Sequence, residues 1–431
     1  MYLNPRRTQT WLSTFLACLL AVASSISSAS ESVSEGSGAA PEAGPTTRDV
    51  SGGSIGGIPL LVYLNGLKGS GKMLSGQHSD HFGNADTGTY GNGLDQFTPA
   101  TGATPANMTI TDKTSGNTGL VPAILGVFLN SAGTCGSALT LAQGIAIANG
   151  QLAAGGIVHV TYDQPSPTQT AHRGCNFKGN GTEFPAVITP GTRPYQVYMY
   201  GNAGGAWGGT GTACTAAAPC GGVWAQAQAL KALNGTVLFR TLAEGNLGRG
   251  GNWYSTNGTS GGSGGASNAN YVTLMKQTID YMRALGVTNV LYVYNMNIHS
   301  GGYSQNDPGP SYRDILSIDY YGPTTQKGVL AGMTDRNGFT YANSLGIPFL
   351  LSEVGVYSAD NKVVSPLTYD NSIWSQAIQS GARNLVGTIV WNQHWCLECQ
   401  LNALGYLQNN ITRAQLPPIS DARIRARTMR R

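Results

Sequence analysis

The chain has 431 residues, of which only 11% are charged and 60 are glycine, and it carries a formal charge of +4. That length buries a large core in one big α/β domain, and glycine on this scale, permitting positive φ angles and close backbone approaches, marks a fold rich in long irregular connections. Seven of the 25 basic residues are Arg6, Arg7 and the tail's Arg423, Arg425, Arg427, Arg430 and Arg431; this leaves 18, against 20 of the 21 acids once Asp421 goes with the tail, and a body so near neutral offers no nucleic-acid surface.

Residues 1–29 read as a secretory leader: Arg6 and Arg7 precede an apolar run from Trp11 to Ala23, followed by small residues, with cleavage after Ala23 or Ala29. A membrane anchor is the competing reading, and the run is short for a bilayer span. Residues 30–57 are a Ser/Gly/Pro/Glu stretch too poor in apolar side chains to pack, and so a linker. The folded domain is expected over 58–412, followed by a basic tail over 413–431 that is either a solvated end or a contact for anionic lipid or polysaccharide.

Within the domain, mostly apolar runs alternate with helical patterns. MLSGQH (73–78), PAILGVFL (122–129), GIVHVTYD (156–163), TVLFRTLAE (236–244), NVLYVYNMN (289–297), ILSIDYYG (315–322), PFLLSEVG (348–355) and LVGTIVWN (385–392) are continuous enough to be parallel strands covered on both faces. Helices are expected at 139–153, 223–233, 271–286, 329–346 and 371–382, two of them stopping at Gly286 and Gly346. Eight strands with intervening helices predict a (β/α)8 barrel, a TIM barrel, as a single domain with Gly-rich loop insertions at 203–222 and 248–270. A doubly wound sheet is the alternative. It would carry a phosphate-binding turn after an early strand, whereas GSGKM at 69–73 lacks the spacing and precedes its strand.

Removal of the leader takes Cys18 and leaves Cys135, Cys175, Cys214, Cys220, Cys396 and Cys399, an even number in an exported chain. Short spacings favour Cys214 with Cys220 and Cys396 with Cys399, leaving Cys135 with Cys175, among fifteen pairings that six cysteines allow. The six histidines show no metal-ligand spacing, and His78 and His81 are placed in a polar loop after the first strand.

Glu244 and Glu353 each close a strand-forming run, the fourth and the seventh. A parallel barrel delivers strand ends to one face, so two such acids can meet across a sugar: one protonates the leaving oxygen while the other attacks the anomeric carbon or activates water. Either glutamate alone could simply cap a helix or pair with an arginine.

FRTLAEGN followed by NWY, then GGASNANYVTLMKQTIDYMRALGVTNVLYVYNMN, DPGPSYRDILSIDYYG, IPFLLSEVG and, near the start, MLSGQH, together resemble glycoside hydrolase family 26, whose best-known members are secreted β-mannanases. The resemblance runs over about residues 58–410. It implies a retaining endo-hydrolase with Glu244 as acid/base and Glu353 as nucleophile. It further implies Arg240 as electrostatic support, Asp319 and Tyr321 beside the nucleophile, and Trp391 and Trp253 as aromatic contacts. Two positions depart from the family. Ala243 stands where a histidine usually precedes the acid/base, and Tyr162–Asp163 replace a Trp-His pair; both departures bear on sugar recognition more than on hydrolysis.

The expected substrate-binding set is therefore Arg240, Trp253, Tyr321, Asp319, Trp391, Tyr162, Asp163 and His78, with Tyr320 in the core. The expected partner is a β-linked polysaccharide, mannan by default, and the alternatives are another β-glycan or a carbohydrate-binding barrel without turnover. No cofactor, metal, nucleic acid or transmembrane span in the mature chain is expected, and the protein is taken to be a secreted monomer.

Overall fold

The computed structural model describes residues 58–78, 121–129, 140–162, 166–167, 184–203, 211–247, 253–256, 267–298, 300–323, 338–357, 382–391 and 407–417. The expected leader, linker and basic tail beyond residue 417 lie outside them, as do Asp163, His81, the expected helix at 371–382 and four of the six cysteines.

Eight strands pair in parallel and in chain order to form a closed barrel. They are β1 (Gly76–His78), β2 (Ile124–Phe128), β3 (Ile157–Tyr162), β4 (Val237–Thr241), β5 (Val290–Asn297), β6 (Ile315–Pro323), β7 (Phe349–Tyr357) and β8 (Leu385–Val390). Closure is made where Gln77 of β1 meets Val390 of β8. All eight coincide with the apolar runs read from the sequence, because a strand covered by both barrel interior and outer helices has no wet face on which to place polar residues.

The helices are α1 (Ile58–Leu67), α2 (Leu141–Ala153), α3 (Phe184–Val187), α4 (Arg193–Tyr200), α5 (Gly222–Lys231), α6 (Asn268–Ala284) and α7 (Gly338–Ser344). Thr140 caps α2 by accepting from the Gln143 N–H, and Ser267 caps α6 by accepting from the Asn270 N–H, each satisfying an otherwise orphaned backbone donor. Gly286 and Gly346 follow α6 and α7 with φ of 77° and 65°, the left-handed turn that ends a helix cheaply only at glycine. The expected helix at 329–346 is described only over α7.

Side chains alternate between two apolar layers. Val158, Val160, Phe239, Tyr292, Tyr294 and Tyr320 face outward into the layer shared with the helices. Inside the lower barrel, Leu74, Ile124, Ile157, Leu238, Leu291, Ile315 and Leu350 pack together with Leu60, Leu64 and Leu67. Those three leucines recur at i, i+4 and i+7, one stripe of α1, so this helix stoppers the barrel at its N-terminal end. The stripe lies at the domain start expected from the sequence, where no helix had been assigned.

In the first glycine-rich insertion Cys214 and Cys220 form a disulfide, as the spacing suggested. The loop it staples lies against the end of α4: Cys214 N–H donates to Gly201 O and Cys220 N–H to Tyr200 O. No helix among the described residues is long and apolar enough to cross a membrane.

Gly126 shows how tightly the interior is filled. A Cβ there would come within 2.3 Å of His78 Nδ1. The ring cannot easily yield, since its Nε2 bonds Ser352 O at 2.7 Å and its faces meet Phe128 and Trp391. Gly126→Ala is expected to destabilise the protein by about 1–3 kcal/mol, read as a lower midpoint in urea denaturation; an unchanged midpoint would contradict this packing.

Candidate functional site

The C-terminal mouth of the barrel is polar where the lower interior is not. β4 carries Arg240, which is fully buried. Its Nη1 donates to both Asp319 oxygens at 3.0 and 2.8 Å, its Nη2 pairs with Glu353 Oε1, and its Nε donates to Thr161 Oγ1 at 2.9 Å. One guanidinium thus spans β3, β6 and β7 and uses its planar fork on two carboxyls at once.

Glu353 reaches this position through an irregularity in β7. Ile318 pairs with Leu351 but Asp319 pairs with Glu353, so Ser352 is an extra residue, a β-bulge of the kind that re-aims side chains at barrel rims. Ser352 and Glu353 consequently both face the interior. Ser352 Oγ donates to Asp319 Oδ1 at 2.5 Å, and Tyr321 donates its hydroxyl to Glu353 Oε2 at 2.8 Å.

Glu244 lies just past the end of β4, half-buried. Leu242 and Glu244 have φ of 51° and 53°, left-handed values that are costly for residues other than glycine. The turn is held from β5: Asn295 Oδ1 accepts the Glu244 N–H at 2.6 Å and Asn297 Nδ2 donates to Glu244 Oε1 at 2.6 Å. Asn297 pairs with Asp319 across β5 and β6, and Asp319 pairs with Glu353 across β6 and β7. Asn295 Nδ2 also reaches Asp319 Oδ1 at 3.1 Å and Ser352 Oγ at 3.0 Å, so one continuous network joins the two glutamates.

Burial pushes the Asp319 carboxyl well above the usual carboxylate range; Arg240 pulls against this, and the Glu353 and Glu244 charges add to it. Burial, reinforced by the charges of Glu353 and Asp319, raises the Tyr321 phenol, which keeps its proton and remains a donor to Glu353. Burial and then Arg240 lower His78 to about 3, and the same causes depress His159 strongly, so both imidazoles under the mouth are neutral. A guanidinium and a tyrosine anchoring one acid, with a second acid held at the rim by a neutral amide, can divide nucleophilic and proton-transfer work.

Several expected site residues belong elsewhere. Trp253 is fully buried, with Phe184, Tyr198 and Tyr254 at ring distances of 5.3, 6.0 and 5.5 Å; it belongs to the layer packed with α3 and α4, not to an exposed face of the mouth. Tyr162 is buried in the outer layer, because Thr161 takes the inward position on β3. His78 is the buried end of β1, supporting the bulge through Ser352 O, and is not in a polar loop. Trp391 is partly exposed just beyond β8, 5.0 Å from the His78 ring and 5.6 Å from Phe128, and Tyr320 is core as expected. The asparagines of β5 and Thr161, Ser352 and His159 were missed. Their signal is polar residues two apart in otherwise apolar strands, His159 and Thr161 on β3, Asn295 and Asn297 on β5, which marks the inward face. Among the described residues, no three His, Cys, Asp or Glu side chains are grouped so as to hold a metal ion.

If Arg240 is replaced by Met, two carboxyls lose their counter-charge, a change that typically costs about 3–5 kcal/mol. The Asp319 carboxyl, already raised and now freed from Arg240, holds its proton in the folded state at pH values where the unfolded chain has lost it. Stability from that group is therefore present at low pH and lost as pH rises through the folded value. Denaturation of Arg240→Met should show a smaller deficit relative to wild type at pH 4 than at pH 7; equal deficits would mean that the buried carboxyls are not its source.

Residues 219–398 match the sequence profile of glycosyl hydrolase family 26. The mannan endo-1,4-beta-mannosidase of Bacillus subtilis (strain 168) is 27% identical over 161 residues, 37% of this chain and 40% of that protein. Endoglucanase H of Acetivibrio thermocellus is 35% identical over 100 residues, 22% of this chain and 10% of that protein. The chain thus spans less than half the length of the curated relatives it matches. Among solved structures, a Bacillus subtilis mannanase superposes with a TM-score of 0.56 at 19% identity, covering 84% of this chain and 94% of that one. The catalytic domain of a Bacillus sp. JAMB-750 endo-beta-1,4-mannanase gives 0.58 at 17%, covering 86% and 94%. At such identities the superpositions speak for the barrel fold alone.

Proposed function

We propose that this chain, a protein of the glycosyl hydrolase family 26 type, is a secreted endo-acting glycosidase that cleaves a β-linked backbone polysaccharide with retention of configuration. The observation that carries the reading is Glu353, fixed by Arg240 and Tyr321 at the mouth of a closed barrel, with Glu244 joined to it across β5 and β6.

Glu353 is the nucleophile. One of its oxygens attacks the anomeric carbon; the glycosidic C–O bond breaks, its electrons stay on the leaving oxygen, and that oxygen takes the proton of Glu244. Glu244 then removes a proton from water, whose oxygen attacks the same carbon and releases Glu353. Arg240 and Tyr321 orient the nucleophile through separate oxygens, so the carboxyl plane is defined before a sugar arrives. The partly exposed Trp391 offers an apolar ring against the C–H face of a sugar.

β-Mannan is the first substrate, on the sequence likeness to mannanases. A β-glucan is the second, because a glucan-named relative matches part of the chain and because Ala243, buried Trp253 and outward Tyr162 remove side chains that the family resemblance had placed around mannose. Export is supported by the leader-like start and the Cys214–Cys220 disulfide. The protein is taken to act as a monomer on polysaccharide.

Incubation with β-mannan, galactomannan, xylan and β-glucan, followed by mass spectrometry of products, should reveal oligosaccharides from at least one polymer. Glu353→Ala is expected to abolish their release. Glu244→Ala should lose about 10²- to 10⁴-fold on polymer and far less on an aryl glycoside whose leaving group needs no proton. Full activity in both variants would refute the assignment, and oligosaccharide binding without products would point to a binding barrel.

A further inference from the structure

Among the described site residues Glu244 is the one whose backbone is strained, and neutral groups hold it at several points. Its N–H donates to Asn295 Oδ1, and its carbonyl accepts from the Leu247 N–H at 2.9 Å and from Ser255 Oγ at 3.2 Å. Its carboxyl Oε1 accepts from Asn297 Nδ2. Asn297 is itself fixed: its N–H donates to Asn246 Oδ1 at 2.7 Å, and Asn246 Nδ2 donates back to Asn297 O at 2.9 Å. Both asparagines are buried. Asn246 also reaches Ser300 O and Gly301 O, so the loop after β5 is clamped to the turn bearing Glu244.

We infer that Asn297 is the positioning residue of Glu244, a role resting on the acid/base reading above: its amide aims the carboxyl into the mouth and, as a donor, sets the pH at which that carboxyl gives up its proton. A hydrogen-bond donor stabilises the ionised form selectively, so the amide holds Glu244's proton affinity down. Among the described residues, the other titratable groups around the mouth act from neighbouring strands: Arg240 from β4, Asp319 and Tyr321 from β6, Glu353 from β7, and neutral His78 and His159 from β1 and β3. Asp319 and Tyr321 both sense the Glu244 charge. β5 contributes no charge, only Asn295 and Asn297, so altering Asn297 changes the donor without removing an ion pair.

The test is carbon-13 NMR titration of the Glu244 carboxyl in protein labelled at glutamate, with the resonance assigned by its absence in Glu244→Gln. In Asn297→Ala the midpoint should rise by about one unit, and in the nearly isosteric Asn297→Asp it should rise further, because a donor becomes a second acid. The Asp variant retains side-chain volume and the main-chain bond to Asn246, and so covers the case in which the Ala variant does not fold. The alkaline limb of kcat/KM on the cleaved glycan should move upward with the midpoint. A midpoint unmoved in both folded variants would overturn the inference. Since the titration needs no substrate, a shift in a protein that cleaves none of the polymers would uphold the positioning role while removing the hydrolase reading.

Discussion

Arg240 is buried in the polar upper interior of the barrel, where the carboxyls of Asp319 and Glu353 bound to it balance its charge. The pairing makes demands on every neighbouring strand. β3 must turn Thr161 inward to take the third donor, β6 must bring Asp319 level with Asn297, and β7 must carry an extra residue so that Glu353 reaches the same guanidinium. His78 and His159 must stay neutral, which burial and the arginine itself ensure. Closure of the barrel is the condition for all of this, since an open sheet would let water screen the charges and loosen the geometry.

The strands were legible because their burial is two-sided, and two-sided burial writes itself as a mostly apolar run. Glu244 and Glu353 were legible as acids closing such runs, whereas Arg240, Asp319 and Tyr321 came from the family resemblance and not from the strand pattern. The failures have a common cause, which is that the direction of a side chain depends on register. Tyr162 and Thr161 are adjacent, and only the pairing with Arg240 shows which faces in. Trp253 was expected at the cleft from the family resemblance, yet it packs against Phe184 and Tyr198. The leucine stripe of α1 was short, uncharged and next to a linker, and its role depends on a barrel end that no local pattern announces.

The interior divides the labour. Aliphatic side chains below, stoppered by α1, supply cohesion that does not depend on pH, while the ionic layer above supplies orientation at some cost in desolvation. Glu244 stands apart from both. It is carried on a strained turn to which β5 amides hydrogen-bond, whereas Glu353 is paired with the charge of Arg240.

The extra residue in β7 changes the parity of the strand. Below Ser352, even-numbered residues such as Leu350 look toward the axis; at Glu353 an odd-numbered one does, and Val354 has passed to the helix side. Had the irregularity formed one step further along, the same letters in the same order would have sent the glutamate among aliphatic neighbours and left the arginine with half its counter-charge. Where the count slips is thus as much a determinant of this mouth as which amino acid is encoded, and percentage identity cannot register it.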